Sequence, residues 1–134
     1  MTDVYALCER GEIEICVDGG VARVEAWRLD PLAVNFDSTL DLYSVTHLPS
    51  GQSFGSIGYF KTERQAVSAM VDLIRIGFDW KSLDRPGMPT DLLAQIQAVF
   101  RRHQSVSRDW SYDELVRHSF RFSTDLNADR KVHH

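Results

Sequence analysis

The sequence predicts an α+β domain: a four-stranded antiparallel sheet packed against a long helix and followed by one or two further helices. Three observations carry this. Residues 12–18 alternate apolar and acidic side chains and run into Gly19-Gly20. Thr62-Glu63-Arg64-Gln65 has the pattern of a capping box at the start of an apolar periodic stretch. All strand-like segments precede all helix-like ones, the order expected of an α+β rather than a parallel α/β fold.

In residues 12–18, Ile13, Ile15 and Val17 point one way and Glu12, Glu14 and Asp18 the other, as in a half-buried strand. Gly19-Gly20 supplies the positive φ angles of a tight hairpin, and residues 21–29 return as the second strand. Asp30-Pro31 is expected to end that strand, because proline has no donor for the ladder. Residues 40–48 form a third strand, Pro49-Ser50-Gly51 a turn, and residues 52–60 a fourth strand interrupted by Gly55 and Gly58.

From Thr62 to Gly77 the period changes to that of a helix. Ala66, Val67, Ala69, Met70, Leu73, Ile74 and Ile76 share one arc, and Gly77 stands where a helix-ending glycine belongs. Residues 78–89 read as a loop. A second helix is expected over residues 91–103, with Leu92, Leu93, Ile96, Val99 and Phe100 as its stripe. Ser111-Tyr112-Asp113-Glu114 suggests a third, short helix to about Ser119. The organisation is thus an α+β domain over residues 1–104, with residues 105–134 as a helical extension and polar tail, in the same domain or loosely attached.

With 134 residues, 43% of them hydrophobic, the chain is one domain with enough apolar surface for a core that needs no metal or disulfide. No apolar run reaches the ~18 residues of a membrane span. The first residues lack the basic start and apolar stretch of a signal peptide, so a cytoplasmic location is expected. Cys8 and Cys16 then read as reduced structural thiols.

The net charge of −4 is unevenly spread. Residues 1–60 carry three basic and nine acidic side chains, whereas residues 100–134 carry seven basic and five acidic. An acidic front half argues against a general nucleic-acid binder, which presents a basic face. Glu9, Glu12, Glu14, Asp18 and Glu25 read as the solvated outer face of the first hairpin, or as an acidic surface shown to a basic partner. Trp27, Tyr43, Phe54, Tyr59 and Phe60 read as core or cross-strand aromatics rather than a base-stacking platform. The positive concentration is Arg101, Arg102, His103 and Arg108, with Arg117, His118 and Arg121 beyond, a helix end that also offers itself to phosphate.

Two segments imitate catalytic motifs. Gly51-Gln52-Ser53-Phe54-Gly55 fits G-x-S-x-G, with His47 close by, but it falls on a hairpin turn and strand rather than on a strand-to-helix elbow. Residues 55–62 fit a phosphate-binding loop ending in Lys61-Thr62, except that Phe60 replaces the glycine that lets backbone N–H groups wrap the phosphates. His47, His103, His118, His133 and His134 have no metal-ligand spacing. No catalytic residue, metal or cofactor is therefore assigned.

The expectation is a small non-enzymatic protein–protein interaction domain. An accessory, adaptor or inhibitor protein of bacteria, phages or other mobile elements fits such a chain. Its partner-binding candidates are Glu12, Glu14, Asp18, Glu25, Arg101, Arg102, Arg108, Arg117 and Arg121. Exposed sheet edges, with Trp110, Phe120 and Phe122 in the tail, also invite self-association. The alternatives are nucleic-acid binding through the basic C-terminal helices and a small enzyme or nucleotide binder using Ser53 or Lys61.

Overall fold

Alternation, glycine placement and caps together lay out most of what a computed structural model describes for residues 3–83 and 89–107. The strands are β1 (Glu9–Val17), β2 (Gly20–Leu29), β3 (Leu32–Asp37), β4 (Leu42–His47) and β5 (Gln52–Ser53), and the helices α1 (Glu63–Arg75) and α2 (Thr90–Arg102). The strands form one antiparallel sheet in the order β1-β2-β3-β4-β5, each beside its neighbour in sequence.

The α+β class therefore holds, but the sheet has five strands rather than four. The extra strand is β3, with sequence LAVNFD. Its first four residues are buried, so it lies covered on both faces and shows none of the alternation that marks a half-exposed strand. Asp30-Pro31 ends β2 at Leu29, as expected. It is the two-residue turn between β2 and β3, and Leu29 pairs with Leu32 directly across it.

The expected strand over residues 52–60 shrinks to Gln52–Ser53. After Phe54, whose N–H donates to the Val45 carbonyl at 2.9 Å, the chain turns, with the Ile57 and Gly58 N–H groups both donating to the Phe54 carbonyl. Gly58 fits against α2: a Cβ there would lie 3.0 Å from the Ser105 side chain and 3.3 Å from the Phe100 ring. Phe60 returns to the sheet only as a single bridge to Tyr43, while Tyr59 bridges to Val106, beyond α2.

The helix expected to be long is thirteen residues, the same as α2. Its ends are as the sequence predicts. The Thr62 hydroxyl accepts the Gln65 N–H at 3.2 Å, the Gln65 side chain accepts the Thr62 N–H at 3.2 Å, and Gly77 follows with φ +84°. Thr62→Ala is expected to lower stability by about 1 kcal/mol, read as a shift in the urea midpoint with unchanged slope. The loop after α1 contains a 3₁₀ turn, Trp80–Ser82, that buries Trp80 against the core. The tail element expected near residues 111–119 lies outside the described residues.

Both helices cover one face of the sheet. Leu32 and Val34 of β3, Val45 of β4, Phe54 and Phe60 pack against Ala66, Val67, Ala69, Met70 and Leu73 of α1 and Leu92, Ile96, Val99 and Phe100 of α2. Each large side chain buried there contributes on the order of 1.5–3 kcal/mol. The other face curls on itself. The Cys16 N–H of β1 donates to the Gly51 carbonyl at 2.8 Å, so the first strand reaches round to the β4–β5 turn. This curl positions the site.

Candidate functional site: a cup inside the curled sheet

β1 and β2 pair along nine positions, from Glu9↔Arg28 to Val17↔Gly20. β2 and β3 pair only from Ala26↔Asn35 to Leu29↔Leu32. Residues 20–25 of β2 therefore have no strand partner on their β3 side among the described residues. The distal half of the β1–β2 hairpin is an arm that leaves β3, arches over the helix-free face and touches down at Gly51.

A cavity of about 340 Å³ lies beneath the arm. Beside it Ile13, Ala26 and Ala33 form a small buried apolar cluster against which Ile15 and Val24 pack. In the cavity Ile15, Ala22 and Val24 line the arm side, while Asn35, Ser44 and Thr46 line the sheet side. The last three are all at least nine-tenths buried. Asn35 Oδ1 accepts the Thr46 hydroxyl at 2.8 Å and the Ser44 hydroxyl at 3.3 Å. The Asn35 amide nitrogen has two hydrogens, but its contact among the described residues is one of 3.5 Å to the Phe36 carbonyl, at the outer limit of a hydrogen bond. Asp18 and Asp37 stand at the rim. Asp37 Oδ1 accepts the N–H groups of Thr39 and Leu40 at 3.0 and 3.3 Å, which fixes the turn after β3.

The sequence candidates scatter over this frame. Glu12 pairs with Glu25 and Glu14 with Arg23 in the ladder, so these three acids share a face of the arm. That face is not purely acidic. Arg23 lies 3.7 Å from both Glu12 and Glu14, and Arg10 3.9 Å from Glu25. Asp18 belongs to the hairpin turn, which is Asp18-Gly19 rather than Gly19-Gly20. Glu9 has the opposite strand parity from Glu12 and Glu14, so it does not share their face.

At the end of α2, Arg102 and His103 converge on the protein's own Asp72, at 3.1 and 2.7 Å, with Arg75 3.7 Å away. Arg101 is exposed beside them. Arg108, Arg117 and Arg121 lie outside the described residues, so the basic group expected in the sequence is represented by its first members alone.

His47 is fully buried, and the hydroxyl facing it is not that of Ser53. His47 Nδ1 is 2.8 Å from Ser50 Oγ, and Nε2 is 2.7 Å from the Trp80 carbonyl. The carbonyl can only accept, so Nε2 carries the proton and Nδ1 accepts from Ser50. Burial holds the imidazole below its ordinary value of 6.5, against a smaller upward pull from that carbonyl. Ser53 pairs with Thr46 across β4–β5, and its hydroxyl accepts the Gly55 N–H at 3.2 Å. Lys61 is exposed ahead of α1, whereas Phe60, at the missing-glycine position, is wholly buried. Cys8 and Cys16 are free thiols, and burial pushes the Cys8 thiol up. No group of three His, Cys, Asp or Glu side chains suited to a metal ion occurs among the described residues, and no helix among them is long and apolar enough to cross a membrane.

Sequence reasoning missed Asn35, because it sits in the strand that was not foreseen. A signal existed: one amide in the apolar run LAVNF, with hydroxyls at Ser44 and Thr46 two positions apart in the following strand. No protein-family model, curated protein or solved structure matches the chain.

Proposed function

We propose that the protein is a non-enzymatic protein–protein interaction domain, of accessory, adaptor or inhibitor type, that takes an extended segment of its partner alongside the β1–β2 arm. The observation that supports this reading is the ladder mismatch: six residues of β2, numbers 20–25, run beyond the last pair with β3. An unpaired strand edge recognises an extended peptide through main-chain hydrogen bonds, while alternate side chains enter whatever pocket lies beneath. The cup lies beneath this one. Val21, 65% exposed, and Phe36, 44% exposed, add apolar surface on either side of the gap.

The register identifies the donors. The Cys16 N–H leaves β1 for Gly51, so the Cys16↔Val21 pair exchanges no hydrogen bonds, and neither does Glu14↔Arg23 two positions on. The backbone groups of Val21 and Arg23 therefore face the gap. Arg23→Pro removes one gap-facing donor without touching the β1–β2 ladder, while Arg23→Ala removes the same side chain and keeps the donor. In affinity capture from host-type lysate with nuclease treatment, a protein partner retained by wild type and Arg23→Ala and lost with Arg23→Pro is the expected result. Equal retention by all three, with circular dichroism unchanged, would overturn strand capture. Loss of all bound material on nuclease treatment would transfer the function to nucleic acid and to Arg101 and Arg102.

A further inference from the structure

The hydroxyls of the cup are oriented, and their orientation narrows what side chain a captured segment puts there. Those of Ser44 and Thr46 both donate to Asn35 Oδ1, at 3.3 and 2.8 Å. Their protons are thereby committed, and what the two oxygens offer to the cavity is lone pairs. Ser53 pairs with Thr46 across β4–β5 and lines the same space. Its oxygen accepts the Gly55 N–H, and its own proton is left to give. An acceptor at Thr46 beside a donor at Ser53 is matched by one hydroxyl, which donates and accepts at once. Across the cavity Ile15, Ala22 and Val24 form an apolar wall. None of the described residues lining the cavity is Lys, Arg or His, so an anionic group entering it would give up water with no cation to meet it. The cavity, about 340 Å³, is roughly eleven times the share of one water in the liquid, far more than a serine or threonine side chain fills. Tyrosine combines a large apolar body with a hydroxyl tip.

The register of the arm sets which residue enters. Ala22 and Val24 line the cup, so by alternation Arg23 and Glu25 turn to the outer face. In an antiparallel pair, residues directly opposite each other share a face. A segment residue opposite Ala22 or Val24 therefore puts its side chain into the cup, and its two neighbours stay outside. Resting on the strand-capture reading, we propose that the cup is the pocket for a tyrosine side chain of the captured segment. The ring lies against Ile15, Ala22 and Val24, and the phenol sits between Thr46 and Ser53, donating to the first and accepting from the second.

The test is selection of a displayed library of random seven-residue peptides on the intact protein, with binding of the retained peptides measured by fluorescence anisotropy. Wild type is expected to retain peptides with Tyr at one fixed position. Replacing that Tyr by Phe is expected to weaken binding about fivefold, the range of one net hydrogen bond. Replacing it by Ala is expected to weaken binding about thirtyfold, the loss of an aromatic anchor. Thr46→Val keeps the shape of the side chain and removes the acceptor, and is expected to narrow the Tyr–Phe difference to under about twofold. Ser53→Ala, at a half-buried residue, is expected to narrow it likewise and serves where Thr46→Val does not fold. A Tyr–Phe difference absent in wild type, or unchanged in the folded variants, would overturn the tyrosine pocket. Retained peptides with no fixed Tyr, but still lost with Arg23→Pro, would overturn the pocket and leave strand capture standing. Peptides whose binding ignores Arg23→Pro would overturn both. Failure of wild type to retain any peptide would also overturn both.

Discussion

Phe100→Ala is expected to remove about 3–5 kcal/mol of stability, a large share of the ~5–15 kcal/mol a domain of this size has in total. Phe100 is 1% exposed and sits where three elements meet. Its ring lies 4.9 Å from that of Phe60 and 6.2 Å from that of Phe54, and α2 holds it against the turn at Gly58. Truncation leaves a cavity bounded by side chains from both helices and by the segment leading from β5 to α1, and these cannot all collapse into it together. Phe100→Leu keeps most of the volume and is expected to lose under about 1.5 kcal/mol. Phe36→Ala, at a 44% exposed ring, is expected to stay within about 0.5 kcal/mol. Urea unfolding of the three variants checks the order. Phe36→Ala as damaging as Phe100→Ala would show that the core is elsewhere.

His47→Gln is expected to cost about 2–4 kcal/mol at pH 8, because the Trp80 carbonyl and the Ser50 hydroxyl lose the ring that satisfies both. The cost depends on pH. The native imidazole is held neutral below its ordinary 6.5, whereas the unfolded chain takes up a proton near that value. The unfolded state therefore binds more protons as pH falls, and wild-type stability falls with it. The contribution of neutral His47 is complete above about pH 6.5 and is lost as pH falls through that value towards the lower native one. Urea midpoints of wild type and His47→Gln are expected to converge between pH 8 and pH 5. The difference cancels the carboxylates and His103, which both proteins share. A gap that stays constant with pH would show that His47 titrates alike in the folded and unfolded chains.

What could be read from the sequence was what is decided locally. The ends of α1 are set by Thr62, Gln65 and Gly77, all within or beside the helix, and the structure keeps each of them. The apolar stripe of α2 lies within one turn of its predicted bounds for the same reason. The failures are where distant partners decide. Phe54, Tyr59 and Phe60 look like strand residues, but the chain between them turns, and Gly58 packs closely against Ser105 and Phe100, over forty positions away. His47 is tied to Trp80, 33 residues on, and nothing near either residue announces it. The cup was illegible because a cavity under a curled sheet depends on where β1 returns to the chain, at Gly51, and not on any one segment.

The Asn35 cluster also bears on how the sheet finds its alignment. β3 is apolar over Leu32, Ala33 and Val34, so hydrophobicity does little to distinguish its two sides, and a strand with weak alternation is prone to slip. A slip of one position would turn Asn35 into the helix-covered core among rings and aliphatic chains with no hydroxyl to meet it. A slip of two would keep its side but set it opposite Leu42 or Thr46 in place of Ser44, breaking the arrangement in which one oxygen takes both hydroxyls. Asn35 is thus an indexing pin for the β3–β4 pairing: a polar side chain that admits one alignment of an otherwise ambiguous strand, and with it one position for everything the sheet carries.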